Sequence, residues 1–169
     1  WAGLIFGVYA FNYLWAPLID RLQIPILTKK LGHRRGWIVL MQFIILISLV
    51  IWSFVNPTED LALLISVGLI IAIASATQDI TVDALRIEQI NENEGKSMAA
   101  GAAMAVVGWW TGYKLGGVIA LFTAEYFEKI GIADYWQATF LVLGIVIILM
   151  NIGLMFVHEP IETDRQSKQ

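Results

Sequence analysis

The feature that most limits how this chain can fold is a series of apolar runs, each about as long as a bilayer is thick. A helix crosses membrane hydrocarbon in roughly 20 residues. Residues 1–19, 37–55, 61–86, 98–124 and 135–157 are runs of about that length. Polar or basic stretches separate them: Asp20 to Gly36, broken by Pro25; Asn56-Pro57-Thr58-Glu59-Asp60; Asn91-Glu92-Asn93-Glu94-Gly95-Lys96; and, after the last run, His158-Glu159-Pro160. Lipid offers backbone groups no hydrogen bonds, so such runs satisfy their own as helices. The expected fold is all-α, a polytopic membrane helix bundle of five spans, with 158–169 a polar tail.

Composition is needed only to exclude other classes. The chain is 58% hydrophobic and 15% charged, against roughly 45–50% and about 25% in soluble domains. A net charge of -3 gives no footprint for nucleic acid, and the absence of Cys removes any disulfide framework or thiolate site. Trp15, Trp37, Trp52, Tyr126 and Trp136 stand near the ends of apolar runs, where amphipathic rings settle at the headgroup level. Residue 1 is Trp and already lies in an apolar run, so the chain reads as a segment of a longer polypeptide.

Lys and Arg set the orientation, since cytoplasmic loops hold the excess of positive charge. With five spans, Arg21, Lys29, Lys30, Arg34, Arg35, Arg86, Lys96, Arg165 and Lys168 all fall on one side. That side is expected to be cytoplasmic. Asp20, at the membrane edge beside this basic loop, is expected to act as a latch toward an Arg or a helix N-terminus.

The stretch Ser75-Ala76-Thr77-Gln78-Asp79-Ile80-Thr81-Val82-Asp83-Ala84-Leu85-Arg86 carries the chemistry. It continues the third apolar run, so its helix takes Gln78, Asp79 and Asp83 into or just beneath the hydrocarbon edge. Ser75, Asp79 and Asp83 recur every four residues and share one face. Carboxylates are expensive there and mark function unless the helix has simply reached water. Asp79 lies deeper than Asp83, so desolvation weighs more on its charge, and it is the stronger candidate for carrying a proton. Gln78 would hydrogen-bond solute or orient Asp79.

In the fourth run Gly101, Ala105, Gly108, Gly112 and Gly116 form a small-residue seam suited to close helix packing. Lys114 is turned about 200° from Gly112 and sits ~5 Å from the middle of that helix. An ammonium so placed calls for a polar cavity or an anion, with snorkelling the simpler alternative. Straight helices put Asp79 and Lys114 ~13 Å apart in depth, which argues against a direct pair. His33, in the basic loop, and His158, at a helix end, read as solvated or interfacial. No nucleophile, metal cluster or phosphate loop appears, so no catalytic residue, cofactor or metal is expected.

Three sets of residues resemble a known family: Leu14-Trp15-Ala16-Pro17-Leu18-Ile19-Asp20-Arg21 leading to Gly32-His33-Arg34-Arg35-Gly36-Trp37; Ala74 to Ile80 with Asp83-Ala84-Leu85-Arg86; and Gly112-Tyr113-Lys114-Leu115-Gly116. The chain resembles the major facilitator superfamily and, within it, the AmpG-like muropeptide permeases, a group similar to acetyl-CoA transporters. The resemblance implies helices two to six of a twelve-helix transporter, that is, the N-terminal half lacking its first helix, with the second half elsewhere. It implies a bacterial inner-membrane location and a gating motif of Asp20, Arg21, Gly32, Arg34, Arg35 and Arg86. It also implies a site in which Ser75, Gln78, Tyr113 and Lys114 bind solute and Asp79 and Asp83 couple protons. The superfamily's usual signature joins Asp-Arg almost directly to Gly-x-Arg-Arg; here Leu22 to Leu31 intervene, as in AmpG-like proteins. Members often carry Arg where this chain has Lys114.

The expected function is thus a proton-coupled secondary transporter of an anionic, sugar- or amide-containing solute, embedded in the bilayer. The alternatives are an acetyl-CoA-type transporter, or an intramembrane prenyltransferase-like enzyme holding magnesium at Asp79-x-x-x-Asp83. Magnesium-diphosphate sites commonly use two acidic motifs, and this chain has one. A purely structural membrane protein would leave Lys114 unexplained.

Overall fold

The computed structural model describes residues 2–55, 60–90, 95–154 and 156. The turn at 56–59, loop residues 91–94 and the tail with His158, Arg165 and Lys168 lie outside the described residues. Among the described residues every regular element is helical: α1 (Ala2–Ala10), a 3-10 turn (Asn12–Leu14), α2 (Ala16–Arg21), α3 (Pro25–Leu31), α4 (His33–Trp52), α5 (Leu61–Gln89), α6 (Gly95–Lys129) and α7 (Tyr135–Leu154). The last four are long and apolar enough to cross a membrane.

The first apolar run is a broken rod, not one helix. Pro17 has no N–H to donate, and its ring would collide with a carbonyl one turn back. The chain therefore tightens through Asn12–Leu14 and restarts as α2 with Pro17 in its first turn, where the missing donor costs nothing. Pro25 opens α3 in the same way, and the Ile24 N–H is taken by Thr28 Oγ1 at 3.0 Å. Gly32 then ends α3 at φ 95°, a conformation that favours glycine, and admits α4.

α4 and α5 form an antiparallel pair, with cross-contacts that run in opposite order along the two helices. The Trp52 indole donates to Leu64 O at 3.1 Å, Met41 packs with Ala74, and Arg34 reaches Glu88. From Arg34 to Trp52 the α4 axis covers about 27 Å at ~1.5 Å per residue. That is close to a hydrocarbon thickness. Met41, Ile45 and Leu49 of α4 and Ala74 of α5 form a core cluster, flanked by Trp52 of α4 and by Phe140, Leu143 and Ile147 of α7. α7 adds one polar tie in this apolar wall, Asn151 Nδ2 to Gln42 Oε1 at 3.1 Å.

α6 packs along α7. Residues 106–115, through its middle, are all exposed. The glycine seam is used at Gly101, where an added Cβ would meet the Ile90 Cδ1 at 2.7 Å; at Gly108, Gly112 and Gly116 a Cβ would meet nothing within 4 Å.

Candidate functional site: an acidic cavity on a charged clamp

α1 and α2 lie against α5 through polar side chains that would be costly in lipid if unpaired. Tyr9 Oη donates to Ser75 Oγ at 2.8 Å, and Trp15 Nε1 donates to Thr77 Oγ1 at 3.1 Å. These two bonds fix the rotation of α5. Thr77 and Thr81 are buried, and the neighbouring face with Asp79 and Asp83 is turned to an open cavity of about 490 Å³. The cavity is bounded by α2, α5 and the start of α4, and Asn12, Tyr13, Asp20 and Arg34 share its lining with the two aspartates.

At the basic end of the cavity one guanidinium holds two acids. Arg34 Nη1 donates to Asp20 Oδ1 at 2.5 Å, and Nε and Nη2 both reach Glu88 Oε1 at 3.0 Å. The Arg34 side chain is 11% exposed, Glu88 21% and Asp20 51%. The clamp thus joins α2, α4 and α5. His33 beside it is buried, with Nε2 3.1 Å from Ile19 O. The expectation of a solvated or interfacial His33 is corrected: its ring is turned onto the end of α2 at Ile19. α3 packs on the start of α4, with Leu27 so close that a Cβ on Gly36 would lie 3.2 Å from the Leu27 carbonyl carbon.

Nine residues separate Asp79 from Glu88 on α5, about 14 Å along the axis. Asp83 lies between them and accepts from Arg86 Nη2 at 3.1 Å, one turn further on. The cavity therefore runs along α5 from the clamp toward Asp79, with acids at three levels.

The remaining sequence-derived candidates are dispersed. Gln78 is half-buried beside Asp79, and Arg21 is exposed at the end of α2. Arg35 is half-buried next to the clamp, and Gly32 supplies the bend that aims Arg34 inward. Tyr113 and Lys114 lie on the bare middle of α6: the Tyr113 ring stacks on Trp109 at 5.8 Å and 5°, and Lys114 Nζ stands 5.9 Å from the Trp110 ring centroid. Neither lines the cavity, and among the described residues no ion pair joins Lys114 to Asp79. Sequence reasoning missed Glu88 and Tyr9. Glu88 carried a signal, an acid five residues beyond Asp83 at the level of the basic loop; Tyr9, 66 residues from Ser75, carried none.

Helices of bilayer length, tied by interhelical polar bonds and lining a charged cavity, define a polytopic α-helical membrane protein. The chain belongs to the Major Facilitator Superfamily, whose family profile matches residues 1–169. Among curated proteins it is similar to the AmpG 4 protein of Rickettsia conorii, at 33% identity over 151 residues, 89% of this chain and 34% of the relative. It is also similar to the anhydromuropeptide permease of Escherichia coli K12, at 31% over 160 residues, 95% of this chain and 30% of that protein. The AmpG 3 protein of Rickettsia typhi is 34% identical over 119 residues, 70% of this chain and 28% of the relative. The chain spans about a third of the length of these relatives.

Proposed function

We propose that these residues form the N-terminal part of a proton-coupled secondary transporter of the bacterial inner membrane, whose solute is an anionic muropeptide-like molecule. The observation that carries this reading is the cavity in which Asp79 and Asp83 open onto the Asp20–Arg34–Glu88 clamp. The family and the permease named among the relatives supply the solute class.

The electrostatics suggest how coupling would work. Four acids, Asp20, Asp79, Asp83 and Glu88, line the cavity with Arg34. A solute carboxylate approaching unneutralised acids is repelled, and in a low-dielectric cavity the repulsion is strong. A proton on Asp79 removes the deepest of these charges and makes anion entry favourable. Proton and solute would then travel together, and solute release would follow proton loss. Lys114 would supply the attractive cation when α6 closes on the cavity, with Tyr113 and Gln78 beside the bound solute. Asp20, with Arg21, Gly32, Arg34, Arg35 and Arg86 around it, would gate the cytoplasmic end, opening as this bundle rocks against a second half. The alternative enzyme reading needs a second pair of acids facing Asp79 and Asp83; the cavity's other acids, Asp20 and Glu88, are held by Arg34.

Uptake of labelled anhydromuropeptide into proteoliposomes bearing the full transporter tests this. Asp79→Asn should abolish uptake driven by a pH gradient while solute exchange at equal pH survives. Undiminished gradient-driven uptake by that variant would end the coupling role of Asp79.

A further inference from the structure

A second concavity, separate from the acidic one, lies between α2, α4 and α5. It has a volume of about 350 Å³ and is lined by Trp15, Leu18, Trp37, Met41, Ile70 and Ile73, among others. Its walls are almost wholly apolar for a specific reason: both indole N–H groups are already used, Trp15 toward Thr77 Oγ1 and Trp37 toward Leu22 O at 2.9 Å. A polar ligand would find no partner there. From Trp37 to Ile44 the groove follows α4 for about 10 Å, and Leu18, Ile70 and Ile73 leave its side open.

Basic residues follow the lining of this groove closely in the chain. Arg21 lies one turn beyond Leu18 on the same face of α2. Leu22, which accepts the Trp37 bond, leads within three residues into α3. The outer face of α3 presents Ile26, 71% exposed, with Lys29 and Lys30 one turn on. Its inner side, at Leu27 and Thr28, is so close to Gly36 that a Cβ there would meet it at 3.2 to 3.3 Å. The lysines are thus held on a short braced helix. Among the described residues no ion pair engages Arg21, Lys29 or Lys30.

We propose that the groove and the α3 brace together form a site for an anionic glycerophospholipid: one acyl chain lies along Trp37, Met41, Ile70 and Ile73, and the phosphate meets Lys29, Lys30 and Arg21. Charge complementarity selects an anionic headgroup, and the satisfied indoles select hydrocarbon over any polar occupant. The ten residues from Leu22 to Leu31 that lengthen this loop acquire a role, carrying the cations to the groove mouth. The site is independent of which solute the protein moves.

Photo-labelling of the full transporter in nanodiscs tests it, with phosphatidylglycerol carrying a diazirine on its acyl chain and the phosphatidylcholine analogue as control. Label from the anionic lipid should concentrate on the peptides containing Trp37–Met41 and Ile70–Ile73, and Ile73→Trp, which fills the groove, should remove it. Juxtamembrane lysines contribute about 1 kcal/mol each near an anionic surface. Lys29→Gln/Lys30→Gln should therefore weaken competition by unlabelled phosphatidylglycerol about 30-fold, and Lys29→Arg/Lys30→Arg should restore it. Thermal midpoints in neutral lipid, equal among the lysine variants, would show that folding is unchanged. Equal labelling by both headgroups would overturn the proposal in favour of ordinary annular lipid. Absence of label from the groove would overturn it in favour of another helix of the same polypeptide covering the surface.

Discussion

At Arg34 a single guanidinium binds acids 14 and 54 residues away in sequence. The two bonds are not equal in stability terms. Asp20 is half-exposed, and water replaces much of what it loses, whereas Glu88 is mostly covered and has little water to replace the guanidinium. Arg34→Gln should therefore destabilise the full transporter by about 2 kcal/mol, while Asp20→Asn should cost under about 1 kcal/mol and act mainly on gating. Chemical unfolding of both variants in detergent measures this, and a larger loss for Asp20→Asn would show that the clamp is centred on the wrong pair. Lys114 belongs to the same scale. Lys114→Gln should raise the half-saturating concentration of an anionic solute, and Lys114→Arg should retain most of the binding. An affinity unmoved by Lys114→Gln would place the ammonium outside the solute site and leave it with its Trp110 contact.

Among the elements, the connection from α2 to α4 does the most positional work for its length. Three features steer it: Pro17 and Pro25 restart helices, and Gly32 turns the chain at φ 95°. A side chain at Gly32 would meet a conformation that L residues rarely adopt, at a cost of about 1 to 3 kcal/mol. Gly32→Ala should accordingly lower the thermal midpoint by several degrees and loosen the Arg34 clamp, read as faster proteolysis between α3 and α4. A variant as stable and as resistant as the parent would mean that the bend is not under strain. α6 presents the contrasting case. Its middle carries an ammonium, three aromatic rings and an unused glycine seam, all exposed. Small residues let helices approach closely, and TM association depends on such packing. The seam at Gly108 and Gly112 is therefore suited to close packing against another helix.

For the whole molecule, orientation follows from charge. Arg21, Lys29, Lys30, Arg34, Arg35 and Arg86 gather at one end of the bundle, the end with the clamp and the α3 brace. A Thr28→Cys variant should react with an impermeant maleimide in inverted vesicles and stay unlabelled in intact cells; labelling in intact cells would reverse the topology and with it the direction of the proposed coupling. The helical class was legible in the sequence alone, because lipid leaves a backbone no other way to satisfy its donors and acceptors in runs of that length. So was the placing of Asp79 and Asp83 on one side of α5, because a spacing of four residues follows from the helical period. The rest was decided in three dimensions. Nothing local in the chain says that Arg34 meets Glu88, that Tyr9 meets Ser75, or that His33 meets Ile19. Those pairings depend on how the helices rotate and cross, and rotation is set by packing between segments far apart in sequence. Lys114 shows the same limit from the other side: its depth could be counted along one helix, but which cavity it faces depends on where that helix leans, a property of the assembled bundle.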